Sequence, residues 1–454
     1  MSDSQLLDYL NEQSILILGF GREGQSSLRF LLKHRDRVGL KRLAIADMQA
    51  IDLQRFDAEL ADYPLEIECF SGADYLDRVA EFSLVLKSPG ISLKEYTADT
   101  IQPGVLAAWP ETTVSGQIDL FLRFAPTRDV IGITGTKGKS TTSTLIAQIV
   151  EQSGRTVCLA GNIGVPILDR WDSIGSGDVV VLELSSHQLQ FVQASPRLAA
   201  ITNFYPEHLD HYIDYTEYTE SKLNILRYQD KDSLFVMNQD DEALSGRATP
   251  LVRGRSVDVH MEDGLAYRGL NPHLMGDHHA LDVAIAVALC TELGLSHEQI
   301  CEGIRCFTGI PHRCEYIGTY QGIDFYNDSI ATIPEAAIFA IQTLKNVDTL
   351  LVGGMDRGID YSAFIDFLAD SDLSTVVCLP QTGHAIFEAL ELRRPGLAVL
   401  VEELSDAVDL AFERTRPGLS CLLSPAASSY HHWQNFEARG NEFRELVTTH
   451  KLSV

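Results

Sequence analysis

One stretch constrains the fold more than any other: Ile133-Thr134-Gly135-Thr136-Lys137-Gly138-Lys139-Ser140-Thr141-Thr142. It follows an apolar run, 129–134, that reads as a buried strand. It opens a run, 141–153, in which Leu145, Ile146, Ile149 and Val150 recur at helical spacing. Strand, glycine turn and helix in that order make an anion cradle. The glycines let successive N–H groups converge, and the helix N-terminus adds its dipole. Lys139 can reach the β/γ oxygens of a nucleoside triphosphate, and the Ser140 hydroxyl can ligate Mg²⁺. The strict G-x-x-x-x-G-K-[ST] pattern needs glycine at 133, where this chain has Ile, so the upstream glycine is displaced.

Further candidates collect around other strand ends. Glu183 closes the run DVVVLEL, where a carboxylate beside a phosphate loop is suited to hold Mg²⁺. His208, in Pro206-Glu207-His208-Leu209-Asp210, is either a metal or substrate ligand or a capping histidine. A second glycine turn, Gly19-Phe20-Gly21-Arg22-Glu23-Gly24, follows the strand 14–18, and Asp47 closes the next strand. By spacing this is a dinucleotide fingerprint, which makes a nicotinamide-dependent oxidoreductase the rival reading. That rival leaves a second phosphate turn, with its Lys and Ser, unexplained. Asp328 and Arg357 lie just after C-terminal strands. Each is either a site residue, arginine being suited to a carboxylate, or half of a surface ion pair.

Strands alternate with helical patterns along all 454 residues, so the fold class is α/β with parallel sheets. Breaks near Trp109-Pro110 and Ile310-Pro311 divide the chain into three segments. With 36 Lys+Arg against 63 Asp+Glu the formal charge is −27, a poor default for nucleic acid or anionic lipid. No apolar run is long enough to span a membrane, and the N-terminus lacks the pattern of a signal peptide. The eight cysteines include no C-x-x-C pair, and Cys301, Cys306 and Cys314 fit no common zinc spacing. Reduced, buried cytosolic thiols are expected.

Together the motifs resemble those of the Mur ligases over nearly the whole chain. TGTKGKSTT, GNIG (161–164), LELSSHQL, the Pro-Glu-His-Leu-Asp run, GIPHRCE, YNDS, LSPAASS and NFEARGNEF fall in family order. The N-terminal nucleotide motif separates the chain from folylpolyglutamate synthases. The short first segment, GIPHRCE and RGNEF point to the branch that adds glutamate.

The resemblance implies three domains. They are a Rossmann-like UDP-substrate domain (1–108), a P-loop ATPase domain with a mostly parallel sheet (109–310), and a Rossmann-like amino-acid-binding domain (311–454). The implied reaction is ATP-dependent amide ligation in peptidoglycan synthesis. The γ-phosphoryl passes to the carboxylate of UDP-MurNAc-L-Ala, and the amine of D-glutamate, or alternatively L-glutamate, attacks the acyl-phosphate. Gly19, Phe20, Gly21, Arg22, Asp47, Ser88, Pro89 and Gly90 would hold the UDP moiety, with Asn162, Ser185 and Gln188 also at that substrate. Gly135, Thr136, Lys137, Gly138, Lys139, Ser140 and Thr141 would bind ATP, joined by Asp282, Arg313 and Asp328. Ser140 and Glu183 would hold Mg²⁺, and His208 and a carbamylated Lys222 a second ion; Lys139, Glu183, His208 and Lys222 form the implied catalytic set. Thr332, Arg357, Ser429 and Phe436 would receive glutamate. Several positions depart from the family pattern: Arg357 and Ile330 stand where lysine is usual, Asp282 and Ile333 where asparagine is, and Tyr430-His431-His432-Trp433 is atypical. The expectation is a cytoplasmic monomer acting on small molecules, with ATP and Mg²⁺, and with domain closure about Ile310-Pro311.

Overall fold

The structure, a computed structural model, describes residues 2–61, 63–207, 210–274, 279–430 and 432–450. The chain forms two compact units, Met1–Phe307 and Thr308–Val454. The second break falls a few residues before the one expected at 310.

The first unit holds two parallel sheets. In the first, β1 (Ser14–Leu18), β2 (Arg42–Asp47), β3 (Ile67–Ser71), β4 (Leu84–Lys87) and β7 (Thr113–Ser115) lie in the order β3-β2-β1-β4-β7, with β5 (Thr100–Gln102) and β6 (Val105–Leu106) forming a separate small pair. The order reverses beside β1, so its C-terminal end opens into a crevice where ligands bind in such sheets. Because β7 pairs with β4, the first sheet extends past residue 108 to Ser115.

The second sheet contains β8 (Val130–Thr134), β9 (Val157–Gly161), β10 (Val179–Glu183), β11 (Leu198–Ile201), β12 (Leu234–Asn238) and β13 (Arg255–Val259), in the order β13-β12-β11-β8-β10-β9. The strands β8, β10, β11 and β12 are buried at every position, as central parallel strands covered on both faces must be. β8 lies at the reversal point, so the glycine turn after it occupies the second crevice. One apolar core runs between the sheets, from Ile15 and Ile17 through Phe121 and Trp171 to Val180 and Leu182.

The second unit is a sheet of β14 (Glu315–Tyr320), β15 (Ile323–Asn327), β16 (Val347–Gly353), β17 (Thr375–Leu379), β18 (Ala398–Leu400) and β19 (Ser420–Leu423), ordered β14-β15-β19-β16-β17-β18. Only β14 runs antiparallel, through the hairpin at Gln321-Gly322. The α/β class with mostly parallel sheets therefore holds throughout. Among the described residues no helix is long and apolar enough to cross a membrane. All eight cysteines are free thiols, but the expectation that they are buried needs correction: Cys69 and Cys306 are exposed, and only Cys290, Cys378 and Cys421 are fully covered.

Candidate functional site

The turn after β1 is shaped by close contacts. Gly19 takes φ +88° and Gly24 sits against the Gly19 carbonyl, so a Cβ at either would collide. At Gly21 a Cβ would meet nothing within 4 Å, which leaves that backbone open to a ligand. Asp47 accepts the Phe20 N–H at 2.6 Å, and the Ser88 hydroxyl donates to the Gly19 carbonyl at 2.8 Å. These ties form one wall of a cavity of about 420 Å³ lined by Gly19, Gly21, Arg22, Asp47, Asn162 and Gln188. Ser88, Pro89 and Gly90 also line it. Phe20 does not: its ring is buried in the core 6.0 Å from Phe56, and only its backbone serves the turn.

The turn after β8 is built differently. Gly135 (φ +142°) and Gly138 (φ +87°) take conformations that L side chains resist, and Gly138 caps the helix Lys139–Gln152. The Lys139 ammonium lies across the turn, donating to the Gly135 and Thr136 carbonyls at 3.0 and 2.9 Å. The buried Lys222, from the helix Tyr215–Arg227, also donates to Gly135 O, at 2.8 Å. Burial, with the nearby Lys139 charge, pulls the Lys222 amine well below the usual lysine range. Thr136 is buried and its hydroxyl pairs with Tyr218, while Lys137 points outward to Glu207 at 2.7 Å. Ser140 and Thr141 stand part-exposed at the helix start. Asp282 packs beneath the turn, accepting from Thr142 at 3.1 Å and blocking any side chain at Gly138.

Glu183 lies one strand over, opposite Ile133. It is buried; Asn162 donates to one carboxylate oxygen at 2.8 Å, and the other has no hydrogen-bond partner among the described residues. An orphaned buried carboxylate oxygen is costly unless a cation or donor meets it, so the residues present fit a divalent metal ion. Ser185 and Gln188 form a reciprocal capping box on the turn that follows. His208 lies outside the described residues.

The second unit carries its own cluster. Asp328 follows β15 and accepts from Ser424 at 2.7 Å and from the Cys314 N–H at 3.1 Å. Burial pushes its carboxyl up to about 6. Ser429 is buried, Thr332 and Phe436 are half-buried, and Arg313 and Arg357 are exposed. Sequence reasoning missed the residue that joins these loops. Arg439, fully buried, donates to Ser329 Oγ (2.9 Å), Ser329 O (2.8 Å) and Ala427 O (3.1 Å). Ser329 in turn donates to Phe436 O at 2.8 Å. Its position within NFEARGNEF was the one available signal.

Two phosphate-type turns at the reversal points of parallel sheets, with a lysine-bearing loop beside an orphaned carboxylate, define a nucleotide-dependent α/β enzyme. The Mur ligase middle-domain pattern matches residues 133–262, and the Mur ligase glutamate ligase domain pattern matches 312–427. UDP-N-acetylmuramoylalanine--D-glutamate ligase of Symbiobacterium thermophilum is 34% identical, covering 96% of this chain and 98% of the relative. The enzyme of the same name from Caldicellulosiruptor bescii is 32% identical at the same coverage. In fold, MurF from Acinetobacter baumannii aligns with a TM-score of 0.55 at 16% identity, over 97% of this chain and 98% of that one. MurC from Thermotoga maritima aligns at 0.52 and 18%, over 97% and 100%. The chain belongs to the Mur ligase family and is an ATP-dependent amide ligase. The nicotinamide oxidoreductase alternative falls with that membership.

Proposed function

We propose that this enzyme joins D-glutamate to UDP-N-acetylmuramoyl-L-alanine, the reaction its full-length relatives are named for, through an acyl-phosphate. The observation that carries the reading is the Asn162–Glu183 hydrogen bond. Asn162 lines the 420 Å³ cavity and Glu183 borders the phosphate turn, so the two sites meet at one side-chain contact. A sugar nucleotide seated on Gly19, Gly21, Arg22 and Asp47 extends toward Asn162, Ser185 and Gln188 and brings its terminal carboxylate near the turn.

Phosphoryl transfer depends on positioning and charge neutralisation more than on covalent help. The N–H groups of 135–141 and the Lys139 ammonium hold and neutralise the triphosphate. Mg²⁺, held by Ser140 and Glu183, would neutralise charge on the β/γ oxygens. Lys222 is proposed as the carbamylated lysine that, with His208, faces a second ion. Support comes from its lowered basicity, which leaves a free amine able to attack CO₂ and lose a proton, so that a buried cation becomes an anion. Intact-mass measurement in bicarbonate, showing one added CO₂ that Lys222→Ala abolishes, tests this assignment.

Asp282, Arg313 and Asp328 are assigned to the nucleotide, and Thr332, Arg357, Ser429 and Phe436 to glutamate, whose amine attacks the acyl carbon and expels phosphate. The domains proposed are 1–115 for the sugar nucleotide, 116–307 for ATP and 308–454 for the amino acid, in a cytoplasmic monomer. Phosphate release measured with UDP-MurNAc-L-Ala and a panel of amino acids in both enantiomers decides the reading. D-Glutamate is expected to give the largest rate. Release that depends on another amino acid, or on none, overturns it.

A further inference from the structure

We propose that Glu23 is a positioning residue for the sugar-nucleotide substrate, acting through Gln188. The proposal rests on the reading above in taking the 420 Å³ cavity as that substrate's site.

Glu23 lies in the first turn of the helix Arg22–Lys33, half-buried, and lines the same 420 Å³ cavity as Gln188. It accepts a hydrogen bond from Gln188 Nε2 at 2.8 Å. The other end of that amide is also held, because Gln188 Oε1 accepts from the Ser185 N–H at 3.1 Å. An ionised carboxylate only accepts, and a backbone N–H only donates, so the pair admits one of the two amide orientations. Gln188 lines the large cavity, and one N–H of its amide remains uncommitted by these contacts. Glu23 and the Ser185 N–H together thus fix which face of Gln188 the substrate meets: a donor, not an acceptor.

The surroundings keep the carboxylate in place. On its other side lies a small cavity of about 20 Å³, which Glu23 shares with Lys87, Asp119, His187 and Gln188. The Lys87 ammonium reaches in from β4 and also donates to the Ser88 and Pro89 carbonyls at 3.3 and 3.4 Å, so it steadies a second wall of the substrate cavity. Lys87 and Arg22 both favour the charged form of Glu23, whereas burial pushes its carboxyl up to about 7. Burial lowers the Lys87 ammonium to about 7 as well.

A double-mutant cycle on the full chain tests the proposal, with KM read for the sugar nucleotide, ATP and glutamate. Glu23→Ala and Gln188→Ala are each expected to raise the sugar-nucleotide KM about tenfold. If Glu23 acts through Gln188 rather than by its own contact with the cavity it also lines, the double variant should be no worse than Gln188→Ala alone. KM for ATP and glutamate should stay put. Glu23→Leu keeps most of the volume but removes the acceptor for Gln188 Nε2, so it should lose the same factor. Glu23→Gln, whose carbonyl can still accept, should recover most of it. Multiplying effects in the double variant, a rise shared equally by all three substrates, or a Glu23→Leu enzyme equal to wild type would each overturn it. A wild-type enzyme that releases no phosphate with this substrate sinks the proposed function first, and this inference with it.

Discussion

The turns at 19–24 and 135–140 occupy equivalent places, each between a strand at a sheet's reversal point and the helix that follows, yet they are chemically unlike. The first has no lysine across it; Asp47 and Ser88 brace it from neighbouring strand ends. The second is crossed by Lys139, with Lys222 converging on the same Gly135 carbonyl. One backbone solution to holding phosphate is braced at the first turn by a carboxylate and a hydroxyl, where the proposed function only holds a substrate. At the second it gathers two lysines, where the proposed function moves a phosphoryl group. Each turn also has a buried lysine donating to nearby carbonyls, Lys87 for the first and Lys222 for the second. Underneath, the two are more alike than their surfaces.

The largest expected effect separates the two turns by function. Lys139→Ala should lower turnover by about two to three orders of magnitude while leaving sugar-nucleotide binding, measured by calorimetry, unchanged. Equal loss of both would mean that the turns do not divide the work.

A glycine pair sharpens the first turn. Gly24→Ala drives a Cβ into the Gly19 carbonyl and should cost about 1–3 kcal/mol, visible as a lower melting temperature. Gly21→Ala, at φ −73° with open space around it, should melt like wild type but raise the sugar-nucleotide KM severalfold. An unchanged KM would remove this turn from the substrate site.

The smallest effect concerns the buried lysine. Lys87 has a folded value near 7, below the ordinary lysine value, so folding releases a proton between about pH 7 and 10. Over that window the unfolded chain binds more protons, and wild-type stability should rise with pH by up to a few kcal/mol. Lys87→Met should be flatter there in denaturant titrations. Parallel curves would show that the ammonium is not desolvated.

Much of the fold was legible because local pattern carries it. The apolar runs ending at Leu18, Thr134 and Glu183 became strands at those positions, and Thr375–Leu379 matched to the residue. The edge strand Arg255–Val259 escaped notice because it is exposed at four of five positions and shows no apolar run. The strand Ile67–Ser71 escaped for a similar reason, having no fully buried position. At the site, Lys139 and Glu183 could be named from the strands and turn that hold them. Glu23, Lys87 and Arg439 could not, since a charged residue in a helix or strand reads as a solvated face until its burial is seen.

What the chain's own pattern determined is where backbone turns between strand and helix, which residues stand at those turns, and which family the run of motifs belongs to. Those properties depend on periodicity and on glycine's freedom at single positions. Tertiary packing alone decided that Phe20 turns its ring into the core, that Lys222 reaches the Gly135 carbonyl, and that Gln188 meets the Glu23 carboxylate at the wall of the 420 Å³ cavity. Such pairs join residues 36 to 165 positions apart. Desolvation, not local propensity, sets their cost and their partners.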